Sequence, residues 1–126
     1  MHVIRLRKPW TKLLSDGGPA FRVDVPDQTV SDSELPGAVA HYRRRFNRPS
    51  GLDDARVFLR ITGWHGRLKS LSLNQTPIPV EASATGVNTD VTSLLQPHNE
   101  LVVSLLGTPA GLPRLSGEVS LGIDES

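Results

Sequence analysis

Between residues 40 and 76 the chain reads AHYRRRFNRPSGLDDARVFLRITGWHGRLKSLSLNQT, and its repeated two-residue alternation constrains the fold more than any other feature. In Arg56-Val57-Phe58-Leu59-Arg60-Ile61-Thr62, extended backbone puts Val57, Leu59 and Ile61 on one face and Arg56, Arg60 and Thr62 on the other. That is the pattern of a half-buried strand. Phe58 interrupts the polar face, which predicts that part of this face is covered. Upstream, Tyr42, Arg44 and Phe46 share one face and Arg43 and Arg45 the other, until Asn47-Arg48-Pro49-Ser50-Gly51 supplies turn residues. Downstream, Leu71 and Leu73 alternate with Ser70 and Ser72 as far as Asn74-Gln75-Thr76-Pro77. Three consecutive antiparallel strands with short connections are the economical expectation.

The flanks extend the same pattern. His2 to Trp10 predicts a first strand ending at or near Trp10, and Lys12 to Ala20 reads mostly as a loop with a dense turn signal at Ser15-Asp16-Gly17-Gly18-Pro19. Phe21, Val23 and Val25 alternate as a second strand stopped by Pro26, and the polar stretch from Gln28 to Gly37 is expected to cross one end of the fold. Pro77 to Asn88 reads as a surface loop. In Asp90-Val91-Thr92-Ser93-Leu94-Leu95, Thr92 is placed to cap a single helical turn, with Leu94 or Leu95 entering the core. Leu101, Val103 and Leu105 mark a late strand, and Val119, Leu121 and Ile123 the last. With 11 glycines and 10 prolines in 126 residues, this punctuation leaves little room for helix. Residues 1–126 are therefore predicted to form one all-β domain, a two-sheet antiparallel sandwich or jelly roll of about seven to nine strands.

Charge and composition narrow the function classes. The chain has no cysteine, which excludes disulfide scaffolds and thiolate chemistry. Its N-terminal residues lack the apolar run of a secretory leader, and no segment reaches the length of a membrane span, so a cytoplasmic protein is expected. Residues 43–69 carry eight basic side chains against Asp53 and Asp54, whereas residues 74–126 carry Arg114 against six acidic ones. Mutual compensation within a packed sandwich is the expectation.

Several residues invite a chemical role. Asp53-Asp54 is the adjacent carboxylate pair of the basic half, but neighbours in an extended chain point apart, and an exposed turn is the expected reading. His2, His41, His65 and His98 show no metal-ligand spacing, and no acidic loop cluster argues for calcium, so neither a metal nor another cofactor is expected. Asn74-Gln75-Thr76 matches a glycosylation sequon, and with no secretory signal expected the match is expected to be chance. The run Arg43-Arg44-Arg45 alternates across two faces and makes no continuous basic patch, so nucleic acid is not an expected partner. Trp64-His65-Gly66-Arg67 combines an indole with polar donors and can hold a sugar ring; equally, Trp64 can cover the open end of a sandwich core, and the same choice applies to Trp10.

Tyr42-Arg43-Arg44-Arg45-Phe46, Arg56 to Ile61, Leu71 to Asn74, Asp90 to Leu95 and Asn99-Glu100-Leu101-Val102-Val103 resemble, in order and spacing, the galactose-binding-like jelly roll at the N-terminus of family-2 glycoside hydrolases. The resemblance covers about residues 40 to 106 and implies a jelly roll with a link to sugars. The family turns its hairpin on Asn-Gly; here Gln75 follows Asn74, which predicts a different or longer turn. Those enzymes keep their catalytic carboxylates mainly on a separate barrel domain, so the resemblance implies a stand-alone, non-catalytic module rather than an enzyme. The expected function is carbohydrate binding at the loop end through Trp64, His65 and Arg67. The alternative is a structural or assembly module that docks onto protein and binds no sugar; oligomeric state is left open.

Overall fold

The computed structural model describes residues 2–14, 19–28, 39–52, 54–81, 84–108 and 112–124. The turn expected at Ser15 to Pro19, except Pro19, the crossover expected from Gln28 to Gly37, except Gln28, and Asp53 lie outside these described residues. Ten strands follow in order: β1 His2–Arg5, β2 Trp10–Leu14, β3 Phe21–Val23, β4 Val39–Asn47, β5 Arg56–Ile61, β6 Arg67–Leu73, β7 Thr76–Pro77, β8 Val87–Asp90, β9 His98–Leu106 and β10 Val119–Asp124. They form a four-stranded sheet, β1-β10-β5-β8, and a six-stranded sheet, β3-β2-β4-β9-β6-β7, with antiparallel pairing throughout. The two sheets face each other across one apolar core, which is the predicted sandwich.

Alternation builds that core. Val57, Leu59 and Ile61 of β5, Leu101, Val103 and Leu105 of β9, and Val119, Leu121 and Ile123 of β10 are buried on the inner faces. Each such side chain contributes roughly 1.5–3 kcal/mol through removal from water. Phe58 stands half-buried on the outer face of the four-stranded sheet, paired across from Gly122.

The expected pairing of three consecutive strands is overturned. β5 lies between β10 and β8, while β4 and β6 flank β9 in the opposite sheet. Alternation fixes which residues share a face but carries no information about the neighbouring strand. Each apolar stripe must also meet one from the other sheet, and the connections on both sides of β5 carry the chain between layers.

The N-terminal expectation also changes. Strand β1 stops at Arg5, and Trp10 opens β2 instead of closing the first strand; its Nε1 donates to the Leu6 carbonyl at 2.7 Å. β2 and β8 replace expected loops, and with two-residue β7 they bring the strand count to ten. Around the 3₁₀ turn Thr92–Leu94, Thr92 does not cap. Asp90 instead accepts from the Thr92 hydroxyl at 2.6 Å and from its backbone N–H at 2.9 Å, and these bonds hold its carboxyl below the usual carboxylate range. Leu94 and Leu95 both pack half-buried against the core.

No longer turn is needed at the β6–β7 hairpin. Asn74 and Gln75 both adopt positive φ, 53° and 67°, and Leu73 pairs directly with Thr76. The conformation is held by the Asn74 side chain, which donates to the Leu94 carbonyl and to Asn99 Oδ1, both at 2.9 Å, and accepts from Glu100 N–H at 2.9 Å. That engagement leaves the amide of the sequon occupied within the fold.

Candidate functional site

Strand register defines the two ends of the sandwich. Ile61, Val119, Arg67, Leu106 and Val39 lie toward one end; Asn47 and His98, with Arg56 and Asp124, lie toward the other. At the first end the β5–β6 connection is clamped to the approach to β10. Thr62 N–H donates to Glu118 O at 3.0 Å, Gly117 N–H to Gly63 O at 3.0 Å, His65 N–H to Arg114 O at 2.8 Å, and Arg114 N–H back to His65 O at 3.1 Å. The Thr62 hydroxyl also accepts from Glu118 N–H at 2.8 Å.

Glycines permit this closeness. A Cβ on Gly117 would lie 2.4 Å from the Gly63 nitrogen. Gly66, at φ +88°, would bring one to 2.6 Å from the Leu106 carbonyl oxygen. The Trp64-His65-Gly66 turn is thus held by backbone on both sides.

The three sequence-predicted contacts all sit at this end, in different settings. Trp64 is half-buried with its indole packed against the core. His65 is exposed and its Nδ1 lies 2.7 Å from the Ser116 hydroxyl. Arg67 is exposed on the outer face of β6, paired across from Leu106. The structure adds Arg114, the bridge partner of His65, half-buried and with a buried Nε that has no hydrogen-bond partner. Sequence reasoning missed Arg114 and Ser116 as site residues because the bridge that brings them to His65 joins distant segments without any local signal.

A second polar feature lies inside the sandwich. Lys12 and Asp27 are 2% and 1% exposed, and their side chains pair at 3.1 Å, so solvent cannot share in the interaction. Asp27 Oδ2 also accepts from the Tyr42 hydroxyl at 2.6 Å, the Lys12 ammonium lies 5.2 Å from the Tyr42 ring centroid, and the Tyr42 oxygen accepts from Leu115 N–H at 3.2 Å. Asp27 N–H closes the cluster on Leu115 O at 2.8 Å. These buried contacts join β2, β4, the segment after β3 and the approach to β10.

The basic run behaves as alternation requires. Arg43 and Arg45 point outward and share Glu100, at 3.7 and 3.3 Å, which joins the basic and acidic segments of the chain. Arg44 points inward. Asp54 is exposed, and no group of three or more His, Cys, Asp or Glu among the described residues is placed to hold a metal ion. No helix among the described residues is long and apolar enough to cross a membrane.

Neither a family model nor a curated protein sequence matches the chain. Solved structures do. The Bifidobacterium dentium β-glucuronidase complexed with coumarin-3-O-glucuronide superimposes with a TM-score of 0.77 at 16% identity, over 99% of this chain and 30% of that one. A calcium-binding mutant of Bacteroides uniformis β-glucuronidase 2 gives 0.77 at 16% identity, over 97% and 18%. The β-D-mannosidase from Dictyoglomus thermophilum gives 0.72 at 17% identity, over 97% and 22%. The chain therefore spans less than a third of these hydrolases, and what it shares with the family-2 glycoside hydrolase structures is the fold of one β-sandwich unit.

Proposed function

We propose that this chain is a non-catalytic carbohydrate-recognition module whose ligand sits at the clamped end of the sandwich, against the exposed edge of Trp64, with His65, Arg67 and Arg114 as hydroxyl partners. The observation that carries the reading is the bridge from His65 to Arg114, which brings a second polar side chain to the turn that holds the half-buried Trp64 indole. An apolar ring face with a few fixed donors suits a sugar, which presents C–H bonds on one side and hydroxyls at its rim. The fold shared with sugar-processing hydrolases supports the same class of ligand.

Calorimetric titration with mono- and oligosaccharides tests this. Saturable binding is expected, weakened in His65→Ala and abolished in Trp64→Ala. Because Trp64 packs on the core, its variant loses stability as well, so the exposed His65 separates recognition from folding. Binding unchanged in both variants would remove the site from this end.

The second reading, assembly on another protein, draws on the exposed apolar residues Leu13 of β2 and Phe21 of β3, both 42% exposed near one sheet edge. It predicts concentration-dependent mass in light scattering and no response to any sugar.

A further inference from the structure

We propose that the opposite end of the sandwich, where the last residues of β4 meet the first of β9, is an oxyanion-binding site organised by Arg44.

Arg44 stands where an apolar side chain belongs. It lies between inward-facing Tyr42 and Phe46 on β4 and is paired across from Leu101, which is fully buried. A cation enters such a position cheaply only if something offsets its lost hydration. Among the described residues nothing does so completely. The Arg44 Nη1 donates to the Arg45 carbonyl, and among the described residues β2 pairs with β4 only from Ala40 to Arg43. The Arg44 Nε is buried and has no hydrogen-bond partner. Among the described residues no carboxylate forms an ion pair with Arg44, and the acid nearest in register, Glu100, is shared by Arg43 and Arg45. Burial accordingly pushes the Arg44 pKa down, whereas a carboxylate beside it would push it up.

The surroundings are shaped for an anion. Arg44, Arg45, Phe46, Asn47, His98 and Asn99 line one open cleft. Its wall is fixed from behind: Asn99 donates to the Phe46 and Gln96 carbonyls at 3.3 and 2.8 Å and accepts from Gln96 N–H at 2.8 Å. The His98 Nδ1 is held 3.0 Å from Asn47 Oδ1, which leaves Nε2 as the ring nitrogen open to a ligand. Two guanidinium groups, an imidazole and one shared carboxylate leave the cleft net positive. The planar donor fork of Arg44 matches the two oxygens of a carboxylate or two of a phosphate or sulfate, so the shared chemistry is that of an oxyanion. Arg44 is five residues along β4 from Val39, whose row holds Arg67, a separation of about 17 Å by strand rise. The site is therefore distinct from the one at Trp64, and either can fail without the other.

The test is an amide-shift titration of the folded protein at low salt with sodium phosphate, sodium sulfate, sodium D-glucuronate and, as the neutral control, glucose. Saturable shifts are expected at residues 44–47 and 98–99 with the anions and not at those residues with glucose. Glucuronate acting alone would assign the site to carboxylates, and phosphate or sulfate acting more strongly would assign it to tetrahedral anions. Arg44→Gln is expected to weaken binding by about 10- to 100-fold, the range for losing a charged hydrogen-bonding pair, while Lys69→Gln, an exposed cation on β6 outside the cleft, leaves it unchanged. The idea is overturned if shifts grow without saturation near all the exposed arginines alike, or if a folded Arg44→Gln binds as well as the original protein. Should Arg44→Gln fail to fold, the map of shifts in the original protein decides by itself.

Discussion

Lys12 and Arg44 occupy equivalent inward-facing positions on neighbouring strands of one sheet, yet the chain treats the two charges in opposite ways. Lys12 pairs with Asp27 and lies over the Tyr42 ring, and Asp27 is bonded in turn by the Tyr42 hydroxyl. Arg44, two residues further along β4 than Tyr42, finds a backbone carbonyl but leaves its Nε unsatisfied. The difference follows from place. Lys12 lies where the segment after β3 and the approach to β10 fold over it, whereas Arg44 lies where β4 extends beyond β2 and nothing described from the chain reaches across. A buried charge with a complete set of partners specifies the fold, and one left incomplete at an open cleft is free to specify a ligand.

The largest expected effect comes from breaking the complete side of this contrast. Asp27→Asn removes the carboxylate that pairs with the buried Lys12 ammonium at 3.1 Å, and a loss of about 3–5 kcal/mol is expected in chemical denaturation. Replacing both partners, Lys12→Met with Asp27→Leu, removes both buried charges and is expected to stay within about 2 kcal/mol of the original protein. If the single and double variants lose the same amount, the cluster's value lies in its geometry rather than its charge. A fully tolerated Asp27→Asn would mean that the Lys12–Asp27 pair is not what makes the buried charge tolerable, and the contrast with Arg44 would lose its basis.

The same two residues show what the sequence made legible. Alternation located β4, β5, β9 and β10 because their inward positions are almost all apolar, and it correctly turned Arg44 away from Arg43 and Arg45. It failed at β2, where inward Lys12 looks like a break in the apolar stripe; Asp27, from a separate segment, helps make a lysine acceptable there. It failed at β8 because a four-residue edge strand, Val87-Asn88-Thr89-Asp90, carries only one large apolar side chain. Pairing between sheets was invisible, since period two is a property of one strand. At the candidate sugar site the Trp64-His65-Arg67 signal was local and readable, whereas Arg114 and Ser116 arrive through a β-bridge across the fold. Gln75 misled for a related reason: its left-handed backbone is supported by what Asn74 holds, and Asn74 reaches Leu94, Asn99 and Glu100.

The next effect asks whether the end bearing Trp64 is as rigid as its bridge implies, in contrast with the open end at Arg44. Gly117→Ala places a methyl group 2.4 Å from the Gly63 nitrogen and 2.5 Å from its oxygen, both backbone atoms that cannot swing aside. Overpacking of this kind costs about 1–3 kcal/mol. Slowed amide exchange at residues 62–66 is expected in the original protein, with protection lost in the variant before the rest of the sandwich opens. If Gly117→Ala left both stability and that protection unchanged, the clamp would not hold the Trp64 turn, and preorganisation of the candidate site would have to come from elsewhere.

The smallest effect belongs to the ion pairs that most resemble Lys12–Asp27 on paper. Arg45 and Glu100 approach to 3.3 Å, close to the 3.1 Å of the buried pair, but the Arg45 side chain is 77% exposed and that of Lys12 only 2%. Water and salt screen the exposed pair, and Arg43 remains beside Glu100 when Arg45 is removed, so no orphaned charge results. Arg45→Gln is therefore expected to change stability by less than about 1 kcal/mol, and raising the salt concentration should erase even that difference. Its effect on an oxyanion is expected to be larger than its effect on folding, because the bound anion would meet a cleft with one cation fewer. A loss of stability comparable to that of Asp27→Asn would show that exposure does not separate the two kinds of charge in this sandwich, and that Arg45 and Glu100 belong with its structural core.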